Sequence, residues 1–198
     1  MDQQIKQIGA IQKDLTQRWH GETPDATGED LLSLVARQHR ENFMLWHEED
    51  LARAPDASDD KIAGVKRRID GHNQQRNDLI EKLDEALLTG LAAEGVSLPN
   101  KAPLNSETPG SMIDRCSIMA LKIYHMQEQV DRDDADEEHK TKAADKVRVL
   151  GIQRDDLLTC LQAMIDDCRS GVRQFKLYRQ FKMYNDPRLN PAIYQASN

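Results

Sequence analysis

Residues 106–126, SETPGSMIDRCSIMALKIYHM, decide the fold. Thr108 is placed to cap a helix, and Pro109 takes its first position, where a missing N–H costs nothing. Met112, Cys116, Met119, Ile123, Met126 and Val130 then form one stripe at heptad spacing. Ile113, Ser117, Ala120 and Tyr124 form a second stripe beside it. A helix apolar around most of its circumference is buried among other helices. Its charged residues, Asp114, Arg115, Lys122 and His125, therefore require partners from those neighbours.

Working outward, Ile5, Ile8, Ile11, Leu15 and Trp19 recur every three or four residues, so residues 2–19 read as an amphipathic helix. The segment HGETPDATG breaks it. A second helix spans residues 29–54, with Leu32, Val35, His39, Phe43, Trp46 and Asp50 along its seam. Pro55 ends it, and Ser58 caps a third helix over residues 59–92, so the pair folds as an antiparallel hairpin. Residues 93–106 form a loop. After the central helix, the acidic run DRDDADEEH at 131–139 reads as a solvated connector or frayed helix end. A fifth helix covers residues 141–170, with Val147, Leu150, Leu158, Leu161, Ile165 and Cys168 facing inward.

At 198 residues, with 31% charged and 5% aromatic residues, the chain fits one helix-rich domain able to bury a real core. No apolar run is long enough to span a membrane. The first residues, MDQQIKQIGAIQKDL, lack a signal-peptide pattern, and Cys116, Cys160 and Cys168 sit within helical patterns. Reduced, core-type thiols and a cytoplasmic location are expected. The net charge of −7 argues against wholesale nucleic-acid binding, but the charge is uneven. Residues 169–188 hold six Lys/Arg against one Asp.

The seam of the third helix is interrupted by His72, Asn73 and Arg76. Folding the hairpin about residue 56 places position 39 opposite 73 and position 42 opposite 70. His39 and Asn42 are thereby expected to meet Asn73 and Arg76 at one level, with Asp70 and Asn77 nearby. Such a layer either fixes helix register or builds a ligand site. Nearer the turn, WHEEDLAR aligns His47, Asp50 and Arg53 on one face. No HExxH or helical ExxH pair accompanies it, so no resident metal is expected from these spacings. Glu81 and Asp84 match half of the paired-carboxylate signature of all-α nucleotide pyrophosphohydrolases. The helix start at Thr108–Ser111 is a potential anion site that is expected to be capped and empty.

The tail GVRQFKLYRQFKMYNDPRLNPAIY carries aromatics at 175, 178, 181 and 184 and bases at 173, 176, 179 and 182. It is expected to be helical to about residue 184. Docked on the bundle, its bases pair with acids such as Glu48, Glu49 and residues 131–138, and line a pocket over the polar layer. Undocked, it suits phosphate groups of a nucleotide sugar, RNA or anionic lipid.

The runs LWHEEDLAR, KRRIDGHNQQRNDLIEKLDE, NSETPGSMIDRCSIMALKIYHM and FKLYRQFKMYNDPRLNP together resemble a bacterial family known as domain of unknown function 4254, over residues 30–194. The resemblance implies a role in cell-envelope glycan assembly, because members are often encoded beside glycosyltransferases of the heptosyltransferase type. Family residues carried to this chain are His47, Glu49, Asp50, Arg53, Asn73, Arg76, Asn77, Asp114, Arg115, Lys122, Arg179, Lys182 and Asn185, with no catalytic role implied.

The resulting expectation is one all-α domain over residues 1–198: an antiparallel bundle of about five long helices with a basic-aromatic arm at residues 172–198. Its ligand-binding residues are expected to be His47, Asp50, Arg53, Asn73, Arg76, Asn77, Asp114, Arg115, Lys122, Arg179 and Lys182. The leading reading is a binding or accessory module in glycan biosynthesis that recognises a glycosyltransferase or a phosphorylated sugar donor. The rival is a hydrolase or transferase acting on a nucleotide sugar, with Mg²⁺ as its cofactor, Asp50, Asp114 or Glu81 as base or metal ligand, and His47 as acid–base group. The apolar seams also suit a homodimer.

Overall fold

The structure, a computed structural model, describes residues 1–97, 101–181, 186 and 188–191. Five helices follow in order: α1 (Asp2–Trp19), α2 (Leu31–Ala52), α3 (Asp59–Ala93), α4 (Pro109–Val130) and α5 (Glu137–Arg169). Their starts are chemically marked. Asp30 accepts the N–H groups of Leu32 and Ser33, Ser58 that of Lys61, Thr108 that of Ser111, and Asp136 that of His139. Each cap satisfies donors that the first helical turn leaves unpaired.

Helices α2 and α3 pack along one another, as do α4 and α5, and α4 touches all four other helices. That central position follows from its apolar girth: Met112, Ile113, Cys116, Ala120 and Leu121 are all buried. The main core joins Ile5 and Ile8 of α1, Leu34 and Val35 of α2, and Leu79, Leu83, Leu87 and Leu91 of α3 to Leu161, Met164 and Ile165 of α5. A smaller cluster of Trp19, Phe43 and Leu121 fills the other end of the bundle.

Gly110 is required where α4 meets α3. A Cβ there would lie 2.5 Å from the Ile80 carbonyl oxygen, a backbone atom that cannot swing aside.

The acidic run is connector up to Asp136, which caps α5, and helix from Glu137. Two expectations are corrected. Cys160 is exposed, whereas Cys116 and Cys168 are buried. The arm is not helical over residues 173–181. Gly171, at φ +72°, turns the chain out of α5, and Gln174 pairs with the loop before α4. Its N–H donates to the Pro103 carbonyl at 3.0 Å, and its carbonyl accepts from Asn105 N–H at 2.8 Å. Phe175 is then 2% exposed within the main core. Aromatics three apart cannot share one helix face, so burying Phe175 and pairing the backbone outweigh helix formation.

Candidate functional site

The midpoint of the bundle is polar. Asp114 of α4, 5% exposed, receives Gln38 Nε2 at 2.6 Å, Asn42 Nδ2 at 2.9 Å and Arg76 Nε at 2.7 Å, all on Oδ1. Arg76 Nη2 donates to Oδ2 in parallel, making a bidentate fork. The pairing raises the guanidinium's pKa, with the hydrogen bond to Asp114 as the main cause.

A second line of hydrogen bonds continues from Asn42 toward α1. Asn42 Nδ2 donates to Ser117 Oγ at 2.9 Å, Ser117 Oγ lies 2.7 Å from His39 Nδ1, and His39 Nε2 lies 2.9 Å from Thr16 Oγ1. Thr16 Oγ1 spends its proton on the Gln12 carbonyl at 2.8 Å. Thr16 must therefore accept from His39, which fixes the Nε2–H tautomer and leaves Nδ1 to accept from Ser117. Burial pushes the His39 pKa down to about 3, so the ring is neutral.

Above Arg76 a cleft of about 410 Å³ opens between α2, α3 and α4. Asp50, Arg53, Asn73 and Arg76 line it, with Trp46 and Ile118 on its apolar side. A quarter of the Arg76 side chain reaches solvent here. Arg53 is paired with Glu49 at 2.9 Å.

The start of α4 is an anion site filled from within the chain. Gly110 N–H donates to Asp84 Oδ1 at 2.7 Å, so a carboxylate of the chain itself takes up the first free N–H of the helix start. Burial pushes the Asp84 pKa up to about 6, against the lowering effect of the Thr108 and Gly110 hydrogen bonds. Cys116, its thiol pushed up to about 12 by burial, has no nucleophilic character at neutral pH.

The hairpin register is close to that expected. Glu41 Oε2 lies 2.6 Å from His72 Nδ1, and Glu48 Oε1 accepts from Arg68 Nε at 2.7 Å. The partners differ from those expected: His39 turns to Thr16 of α1 and Ser117 of α4, Asn42 bonds Asp114 and Ser117 of α4, and Asp70 pairs with Lys66. Asn77 is half-buried on α3 but does not line the cleft.

The other expected residues lie elsewhere. Arg115 is exposed and pairs with Glu107 at 2.7 Å. Lys122 lines a separate, largely apolar cavity of about 740 Å³ beside α5, together with His125 and Met126. Arg179 bonds Glu81 at 3.1 Å, and Gln180 N–H donates to the same carboxylate at 2.9 Å. The arm thus docks on α3, with Arg173 meeting Asp167 at 3.3 Å. Among the described residues, the arm's ion pairs to the bundle run to Glu81, Glu85 and Asp167 rather than to Glu48, Glu49 or residues 131–138, and Arg179 is not among the residues lining the cleft. Lys182 falls outside the described residues.

Gln12, Thr16, Gln38 and Ser117 were not among the expected site residues. Gln12 and Thr16 fall in register with Ile5, Ile8 and Trp19, so they occupy the buried stripe of α1, whereas Ile11 and Leu15 are only half-buried.

His47 belongs to a different group. It converges with His20, at the end of α1, and His125 of α4, and one ring nitrogen of each lies within 4.8 Å of the others. Burial, and then the neighbouring His20 and His125, hold the His47 pKa below the usual range. Among the described residues these three are the group able to share a metal ion.

An all-helical bundle, with a buried carboxylate–arginine layer beneath an open polar cleft, is the class of protein that fold and site define. Within that class the chain belongs to the family described as Protein of unknown function (DUF4254), whose sequence profile matches residues 32–177. The match runs from α2 into the arm and leaves α1 outside it. No curated protein and no solved structure matches the chain.

Proposed function

We propose that the protein is a binding module that recognises a phosphorylated sugar in the cleft above Arg76, serving cell-envelope glycan assembly in the cytoplasm. The observation that carries this reading is the way Arg76 is held. Asp114 fixes its guanidinium through Nε and Nη2. A guanidinium has five N–H donors, and among the described residues no partner engages those on Nη1. A pre-positioned, part-exposed arginine is well suited to a phosphate oxygen. Trp46 and Ile118 offer apolar surface for a sugar face, and Asp50 offers acceptors for hydroxyl groups. The glycan setting rests on the family resemblance described above.

The rival reading, turnover of a nucleotide sugar with Mg²⁺, has less support. Of the two carboxylates lining the cleft, Glu49 is paired with Arg53, which leaves Asp50, and Asp114 beneath it is held by Arg76. Glu81 is engaged by the arm.

A thermal-shift panel of sugar phosphates and nucleotide sugars, with and without Mg²⁺, tests the proposal. A ligand at 100 times its Kd stabilises the fold by about 2.7 kcal/mol, and Arg53→Ala and Arg76→Lys should abolish that gain. If no sugar phosphate shifts the melting temperature, or both variants keep the shift, the reading fails. Consumption of the bound ligand would select the enzyme instead.

A further inference from the structure

Three imidazoles from α2, α4 and the end of α1 meet beside Phe43. His20 and His47 stand 5.2 Å apart between ring centroids, His20 and His125 5.0 Å, and His47 and His125 5.7 Å. The Nε2 atom of each is buried and has no hydrogen-bond partner. Unpaired buried polar atoms are rare in native proteins, and three of them converging on one point ask for a shared explanation.

The opposite edges of two rings supply it. His20 Nδ1 donates to the Thr16 carbonyl at 2.7 Å, and His125 Nδ1 donates to Glu128 Oε2 at 2.8 Å. A neutral histidine that donates from Nδ1 has its lone pair on Nε2. These are the backbone-carbonyl and carboxylate partners that orient metal-binding histidines and raise their basicity. Aromatic rings enclose the group. Tyr124 stacks on His20 at 3.9 Å, Trp46 stacks on His125 at 4.5 Å, and Phe43 meets His47 edge-on at 4.5 Å. Packing of neutral rings alone would account for the stacking. It leaves unexplained why three buried, unpartnered Nε2 atoms belong to one such group of rings.

We propose that His20, His47 and His125 form a three-histidine site for one divalent first-row transition ion, zinc above all. Three neutral imidazoles suit zinc, copper, nickel or iron, whereas Mg²⁺ and Ca²⁺ require oxygen ligands. An ion about 2.0–2.1 Å from each nitrogen draws the Nε2 atoms to about 3.4 Å from one another, a small closure of three side chains. The fourth position of a tetrahedral ion is left for water or an external ligand. The site ties α1 to the α2–α4 body beside the Trp19, Phe43 and Leu121 cluster, and it is independent of the sugar-phosphate reading.

The experiment uses untagged full-length protein, stripped with chelator and titrated separately with Zn²⁺ and Co²⁺. We expect one ion per chain, visible d–d bands from tetrahedral Co²⁺, and a melting temperature that rises with Zn²⁺ and falls back with EDTA. His47→Ala should lose the stoichiometric ion while keeping its helical circular dichroism. Glu128→Gln changes an exposed residue, so it tests the site even if the histidine variants fail to fold. It should weaken Zn²⁺ by about 10- to 100-fold. Less than one ion per chain at saturating metal, Co²⁺ without tetrahedral bands, or unaltered affinity in Glu128→Gln would each overturn the assignment.

Discussion

Arg76 grips Asp114 through two parallel contacts, Nε to Oδ1 at 2.7 Å and Nη2 to Oδ2, across the interface of α3 and α4. The carboxylate is 5% exposed and also accepts from Gln38 and Asn42. Removing the arginine leaves a buried charge with only neutral donors. Breaking such a pair typically costs about 3–5 kcal/mol. Arg76→Ala should fall at the low end, about 3 kcal/mol, because part of its side chain is wet. Urea denaturation checks this, and a loss below about 1 kcal/mol would show that Gln38 and Asn42 suffice to hold the carboxylate.

Gly110 and Asp84 form the second joint between these helices. Adding a methyl group at Gly110 drives it against the Ile80 carbonyl and within 2.9 Å of Asp84 Oδ1. Overpacking of this kind costs about 1–3 kcal/mol, and displacement of the Gly110 N–H from Asp84 adds a lost charge-assisted bond. Gly110→Ala should therefore destabilise by at least about 2 kcal/mol. Gly95→Ala has no contact to disturb, although its φ of +81° disfavours alanine. A chemical melt of Gly110→Ala that matches wild type would place the α3–α4 contact elsewhere.

Asp84 also tilts the pH profile. Its folded pKa of about 6 lies above its unfolded value of 3.8, so between these pH values the folded state holds more protons than the unfolded state. Stability from this group is full below about pH 4 and falls as pH rises through 6, by up to about 3 kcal/mol. Asp84→Asn removes that slope while keeping an oxygen for the Gly110 N–H. Denaturation at pH 4 and pH 7 should show the variant gaining on wild type as pH rises. An unchanged difference at both pH values would mean that Asp84 ionises normally in the fold.

The five helices were legible because each is long and periodic, and Ser58 and Thr108 cap α3 and α4 where expected, whereas α1 has no side-chain cap. Asp114 stood out for the same reason, as a charge on an apolar helix. Its partners were only half legible: Arg76 and Asn42 follow from folding the α2–α3 hairpin, but Gln38 does not interrupt any pattern. Gln12 and Thr16 were hidden because Ile11 and Leu15, one residue away, suggest a slightly rotated stripe. The three histidines lie on separate elements with no fixed spacing, so their meeting depends on how α1 crosses α2 and α4. The arm was misread because the repeat of aromatics suggests helix, while the deciding event is Phe175 entering a core formed by distant segments.

His39 offers the sharpest check on the buried hydrogen-bond line. With its Nε2–H given to Thr16 and its Nδ1 accepting from Ser117, both nitrogens are satisfied only in the neutral ring. Its folded pKa, about 3, lies below the unfolded value of 6.5, so the unfolded state takes up the proton first. The stability contribution is present above pH 6.5 and is lost as pH falls toward 3, opposite in sign to that of Asp84. Nitrogen-15 spectra of the imidazoles should show a protonated Nε2 and a bare Nδ1 for His39, unchanged from pH 8 to pH 5. Ser117→Ala withdraws the hydroxyl and strands Nδ1, at a cost of about 1–3 kcal/mol. A His39 resonance that titrates near pH 6.5, or a Ser117→Ala variant as stable as wild type, would mean that the line from Asn42 to Gln12 is not formed.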